Sequence, residues 1–131
     1  MPELPATLSR LLSFAPEVEP YWDGCAQERL MLTRCRDTGR AFAYPRGVSP
    51  FTLSPNIEWF EASGLGVVYT VSRIAAGSAP HTIAYVTLDE GPTILTGLVD
   101  EGDRLLTIGD RVKVVFREVE GGYKAPFFAP A

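Results

Sequence analysis

Cysteine, histidine and surplus positive charge are all scarce in this chain of 131 residues. Two cysteines, Cys25 and Cys35, are too few for the disulfide framework of a small secreted domain, so reduced thiols and a soluble cytoplasmic protein are expected. The one histidine, His81, follows Pro80 in the segment "AAGSAPH". A catalytic imidazole needs an orienting acid and a target group, and no such constellation is spaced around it, so His81 reads as an ordinary loop histidine. Sixteen acidic residues outnumber twelve basic ones and leave a net charge of −4. A nucleic-acid binder normally carries the opposite surplus, which argues against that partner. No run approaches the about 20 apolar residues of a membrane span. The best N-terminal segment, Leu8 to Ala15, is interrupted by Arg10 and stopped by Pro16, so neither a membrane anchor nor a signal peptide is expected. Dinucleotide and Walker-type glycine motifs are missing. "SGLGVV" precedes a strand rather than a helix, which leaves no phosphate cradle.

Apolar residues make up 46% of the chain, enough for a core at this length. Leu8, Leu11 and Leu12 follow helical spacing, with Thr7 as a candidate N-cap. Val18, Tyr21, Trp22 and Cys25 fall at i, i+3, i+4, i+7, with Pro20, Glu17 and Glu19 suited to a first turn; Gly24 weakens this second helix by about 1 kcal/mol relative to Ala. Residues 1–28 are therefore predicted to form two short amphipathic helices. The rest reads as strands: Leu30–Cys35, Ile57–Ala62, Val67–Ala75, Thr82–Leu88, Thr93–Val99, Arg111–Val119 and a final segment "KAPFFAP". Val112, Val114 and Phe116 alternate with Lys113, Val115 and Arg117, so the first three should face the core. Five or six short strands in about 75 residues predict a mainly β protein with a small barrel or sandwich. The division into parts is expected at 1–28 (helical), 29–55 (loop-rich) and 56–131 (barrel).

The stretch "CRDTGRAFAYPRGVSPFT" has the spacing of a zinc ribbon, C-x2-C-x10-C-x2-C, but the four positions hold Cys35, Thr38, Ser49 and Thr52. Together with "YWDGCAQERLMLTRC", "IEWFEASGLGVVYTVSRI", "AYVTLDEGPTILTGLV" and "IGDRVKVVF", this segment resembles the DUF35 proteins over roughly residues 18–130. The resemblance implies an N-terminal helical segment, a rubredoxin-like ribbon at 29–55 and an OB-fold barrel at 56–131. It also implies four cysteines where this chain has one. Neutral hydroxyls are weak zinc ligands, so zinc is not expected and the ribbon is read as degenerate. A structural zinc can supply about 10–16 kcal/mol of apparent binding free energy. An apolar plug of Phe42, Tyr44, Phe51 and Leu53 is expected in its place, each worth about 1.5–3 kcal/mol if buried.

Candidate functional residues are few. Asp89 and Glu90 are adjacent carboxylates, but Gly91 and Pro92 follow, and a turn is the better reading. Asp100, Glu101 and Asp103 read as a solvated acidic loop that lacks a calcium ligand set. Cys25 sits on an apolar helical face and reads as packing; Cys35, between Arg34 and Arg36, is either a reactive thiol or a relic of the ribbon. Arg34, Arg36, Arg40 and Arg46 crowd the ribbon; Arg40, Arg46 and Arg73 are candidates for coenzyme A phosphates or an acidic partner surface, against the plainer reading of solvated charge. Tyr21 and Trp22 are candidate interface aromatics, and Trp59 reads equally well as core. The resemblance implies a non-catalytic accessory subunit bound to a thiolase-like or aldolase-type enzyme acting on acyl-CoA thioesters. The alternatives are a stand-alone acyl-CoA-binding module and a single-stranded nucleic-acid binder. No resident cofactor is expected, acyl-CoA is admitted as a ligand, and the isolated chain is free to pair with itself.

Overall fold

The computed structural model describes residues 6–75 and 80–131. Residues 1–5 of the N-terminal segment and 76–79 of "AAGSAPH" lie outside the described residues. The elements run α1 (Ala6–Phe14), a 3-10 turn (Pro16–Val18), α2 (Glu19–Ala26), β1 (Met31–Cys35), β2 (Ala41–Phe42), β3 (Ile57–Glu61), β4 (Leu65–Ile74), β5 (His81–Leu88), β6 (Thr93–Leu98), β7 (Arg111–Val119) and β8 (Tyr123–Pro130).

Five of these strands close a barrel in the order β4-β5-β6-β8-β7, with β4 paired to β7 and a short parallel contact, Leu98 to Phe128, joining β6 to β8. This is the mainly β, OB-type barrel that the sequence predicted. β7 matches its expected span, and Val112 and Phe116 are buried while Lys113 and Arg117 are exposed. Val68, Val86, Leu88, Val112 and Phe128 are each no more than 2% exposed. Non-polar area withdrawn from water is what holds this part together, at about 25 cal/mol per Å².

The remaining strands form a separate antiparallel sheet, β2-β1-β3. β3, which the sequence reading placed with the barrel, is paired along its length with β1, from Met31–Glu61 to Cys35–Ile57. The passage between the two sheets thus falls at residues 62–64. The sheets share one core: Leu30 and Leu32 of the ribbon pack in a continuous cluster with Cys25 of α2 and the barrel interior.

Both expected helices form. Thr7 lies inside α1 rather than at its cap, against Gly121 of the β7–β8 turn. Pro20 and Glu19 occupy the first turn of α2, as their chemistry favours. Gly24, costly for an isolated helix, is required by packing: a Cβ there would stand 2.5 Å from Met31 Cγ and 2.8 Å from the Arg29 carbonyl oxygen. Among the described residues no helix is long and apolar enough to cross a membrane.

Candidate functional site

The ribbon ends in two tight turns that face each other. In the first, Gly39 N–H donates to Cys35 O at 2.8 Å; in the second, Leu53 N–H donates to Ser49 O at 2.9 Å. The fifth residue of each turn has a positive φ, 74° at Gly39 and 61° at Leu53. Glycine adopts this conformation freely, whereas leucine does so under strain. The four positions of the zinc spacing therefore converge. Cys35 Sγ lies 3.9 Å from Thr52 Oγ1, and the Ser49 and Thr38 hydroxyls, with the Thr38 and Asp37 backbone N–H groups, bond to the thiol and hold it down to about 7. Ser49 Oγ accepts the N–H groups of Phe51 and Thr52 at 3.1 and 3.3 Å.

This donor set does not fit zinc. One thiol and three neutral hydroxyls offer a single anionic ligand, where a structural site uses four Cys or His ligands. Asp37 is the nearby carboxylate, but it accepts from Thr52 Oγ1 at 3.4 Å and Asn56 Nδ2 at 2.8 Å, tying the two turns together from outside. Among the described residues no cluster of three or more His, Cys, Asp or Glu could hold a metal ion.

The expected apolar plug is only partly present. Phe42 is buried and meets Phe51 edge to face, with ring centroids 6.2 Å apart. Leu53, however, is 81% exposed and Tyr44 is 52% exposed. Leu53 is turned outward by its backbone. Tyr44 reaches across to the barrel, where its Oη accepts the Leu95 N–H at 2.8 Å and donates to the Leu95 carbonyl at 3.4 Å. These two backbone groups lie at the part of β6 beyond its short pairing with β8, and the tyrosine hydroxyl occupies them.

The candidate cations separate into different roles. Arg73 is bound internally, donating to Glu101 Oε2 at 2.6 Å and to the Leu106 carbonyl at 2.8 Å. Burial pushes the Glu101 carboxyl up, but the Leu106 N–H and Arg73 outweigh it and hold it below the usual range. Arg34 and Arg36 both reach Glu58 of β3. Arg40 lies over the Phe51 ring, 3.9 Å from its centroid, beside a cleft of about 370 Å³ shared with Phe42, Pro50, Glu90 and Pro92. Arg46 is exposed between the two turns.

Tyr21 and Trp22 are half-buried rather than free. Trp22 packs edge to face on Tyr21 at 5.0 Å and on Tyr123 of β8 at 5.4 Å, fastening α2 to the barrel. Their outer edges, with Val18, Tyr44 and Pro45, line a hollow of about 290 Å³. Trp59 is also half-buried, on β3 opposite Thr33.

Asp89, Glu90, Asp100 and Glu101 have structural partners, whereas Asp103 is exposed and Glu90 Oε1 is buried without a hydrogen-bond partner among the described residues. Asp89 makes a two-pronged ion pair with Arg111 at 2.8 and 3.1 Å, which holds its carboxyl below the usual range. Glu90 Oε2 accepts the Ser63 N–H at 2.8 Å. Asp100 is paired with Arg117. His81 opens β5 opposite Ile74, so it belongs to a strand end rather than to a loop. Cys35 has hydroxyl and amide partners, and Cys25 lies fully buried in the core cluster, where burial pushes its thiol up to about 12. A thiol nucleophile must also reach its target, and both cysteines are 0% exposed.

A further surface feature had no signal in the sequence. A bulge between Val68 and Thr70 of β4 leaves Tyr69 63% exposed. Tyr85 and Leu95, directly paired on β5 and β6, are exposed as well.

Comparison with known proteins agrees with this architecture. Residues 59–117 match the family model "ChsH2, C-terminal OB-fold domain", and residues 22–48 match "ChsH2, rubredoxin-like zinc ribbon domain". The second match stops one residue before Ser49. A DUF35 domain-containing scaffold protein of Pyrococcus furiosus is 30% identical over 110 residues, covering 79% of this chain and 80% of the relative. A probable enoyl-CoA hydratase alpha subunit of Thermomonospora curvata is 30% identical over 118 residues, covering 85% of this chain but 36% of that protein. Among solved structures, a chain of an Ltp2-ChsH2(DUF35) aldolase superposes with a TM-score of 0.74 at 26% identity, covering 86% of this chain and 93% of that one. The chain belongs to the DUF35 family.

Proposed function

We propose that this chain is the non-catalytic accessory subunit of a thiolase-like or aldolase-type enzyme that acts on acyl-CoA thioesters. It braces the catalytic partner and borders its CoA site. The observation that carries this reading is the likeness, over nearly the whole of both chains, to the DUF35 chain of an aldolase. The scaffold names of the relatives point the same way. The site chemistry supports it too: Asp89, Asp100 and Glu101 are bound to arginines, and both thiols are enclosed, at 0% exposure. Tyr69, Tyr85 and Leu95 supply the exposed apolar area that a bound subunit would cover.

Co-expression with the thiolase-like proteins of the same genome tests the reading. A stable complex is expected by size-exclusion chromatography, with acyl-CoA turnover in the complex and none by this chain alone. Turnover by the isolated chain, or failure to associate with any of those proteins, overturns it. A second reading, a stand-alone acyl-CoA-binding module, draws on Arg40 beside the cleft under Phe51. Saturable binding of coenzyme A to the isolated chain, lost in Arg40→Ala, would favour it over the first.

A further inference from the structure

The ribbon keeps the geometry of a metal site without the chemistry of one. Both turns close the same hydrogen bond and place their fifth residue at positive φ, even though the second has leucine there. A strained leucine is retained only where the surrounding structure enforces the turn. Three hydroxyls gather on the Cys35 thiol: Thr52 Oγ1 at 3.9 Å and those of Ser49 and Thr38, although Thr38 and Thr52 are themselves exposed residues. Cys35 and Ser49 are both 0% exposed. Each hydroxyl has backbone or side-chain partners: Ser49 Oγ holds two amides of its own turn, and Thr52 Oγ1 accepts the Ser54 N–H at 3.3 Å and donates to Asp37 of the opposite turn. Thr38 Oγ1 accepts the Arg40 N–H at 3.3 Å.

We propose that a hydroxyl–thiol hydrogen-bond cluster, Cys35–Thr38–Ser49–Thr52, has taken over the cross-linking role of a metal in this ribbon. The ribbon then folds without metal, and the four positions remain close enough to form a tetrahedral centre when their hydroxyls become thiols. This is independent of the accessory role: a metal-free ribbon serves equally with any partner. It has a consequence for the molecule in use. A tetrathiolate ribbon is unfolded by chelators and by thiol oxidants, because the deprotonated thiols are its cross-link. A ribbon held by hydroxyls has one thiol to lose and no metal.

The test uses the full chain and the variant Thr38→Cys/Ser49→Cys/Thr52→Cys. Wild-type protein purified from zinc-supplemented medium is expected to hold only substoichiometric zinc by elemental analysis. Its melting temperature should be unchanged by EDTA, and added Co²⁺ should give no visible absorption. The triple variant is expected to bind one Co²⁺ with thiolate charge-transfer and tetrahedral d–d bands, and to release it to Zn²⁺. Zinc near one equivalent in the wild type, with a melting temperature that falls on chelation, overturns the proposal. So does a folded triple variant that leaves Co²⁺ as the aquo ion. Should the triple variant not fold, Ser49→Ala decides: the Phe51 and Thr52 amides should exchange about tenfold faster or more, and unchanged protection there overturns the cluster as the cross-link.

Discussion

The barrel and the ribbon are built from the same material, short antiparallel strands, and are held together by different forces. In the barrel the fully enclosed side chains are Val68, Val86, Leu88, Val112 and Phe128. In the ribbon the buried set changes character along β1: Leu30 and Leu32 still belong to the shared core, but Thr33, Cys35 and, across the turn, Ser49 are the groups at 0% exposure. A hydrophobic contact is non-directional and scales with area. A hydroxyl buried at the same depth must be bonded, and its loss leaves an amide or thiol unsatisfied. The barrel should therefore respond to volume, and the ribbon to single oxygen atoms.

The largest effect is expected in the barrel. Phe128 is fully buried and sits where β6 meets β8. Phe128→Ala should lower stability by about 3–5 kcal/mol, the range for truncating a buried aromatic, read from urea unfolding. In the ribbon, Ser49→Ala removes only an oxygen, yet frees two amides and one contact to the thiol. A loss of about 1–3 kcal/mol is expected, concentrated in the ribbon amides by hydrogen exchange. If Ser49→Ala were as mild as an exposed alanine substitution, the polar account of the ribbon would fail.

A smaller effect is expected where the two parts touch. Tyr44→Phe keeps the ring and removes the oxygen bonded to Leu95. The cost should be about 0.5–1.5 kcal/mol, the net value of an ordinary hydrogen bond, with faster exchange at the Leu95 amide and little change in the barrel interior. Protection of Leu95 left intact would mean that β6 does not depend on the ribbon for its backbone partner.

The same contrast explains what could be read from the sequence. β7 was legible to the residue because Val112, Val114 and Phe116 alternate with Lys113, Val115 and Arg117, and alternation is a local signal. The strand at Ile57–Glu61 was legible as a strand, but not its sheet: its partner β1 lies more than 20 residues earlier, and nothing in the pattern of β3 names that partner. The four ligand positions were found by spacing together with the family resemblance. Their hydroxyl bonding was missed, because apolar residues were the obvious replacement for a metal. Leu53 shows the cost of that choice: as a residue type it suggested burial, while its place as the fifth residue of a repeated turn required positive φ and an outward side chain. Reading Leu53 against Gly39 would have given the correct answer. Arg73 was offered to a ligand because Glu101, 28 residues later, could not be seen beside it.

The smallest and most specific expectation concerns the two cysteines, which report on the two parts with opposite sign. Hydroxyls and amides stabilise the Cys35 thiolate and lower its titration to about 7, below that of an unfolded thiol near about 8.5. Between those values the unfolded chain holds a proton that the folded chain has lost, so stability rises with pH across about 7 to 8.5; the contribution is present above this window and is lost as pH falls through it. Cys25 is the reverse. Burial raises its thiol to about 12, so above about 8.5 the unfolded chain loses a proton that the folded chain keeps, and stability falls as pH climbs towards 12. Tyr21, raised by burial and by the neighbouring Cys25, adds to the alkaline fall. Urea midpoints measured from pH 6.5 to 10 should therefore rise and then decline. Cys35→Ser should remove the rise and leave the decline, while Cys25→Ala, whatever it costs in packing, should leave the rise and reduce the decline. A rise that survives Cys35→Ser would mean that the ribbon hydroxyls do not hold a thiolate, and the polar half of the comparison would lose its electrostatic support.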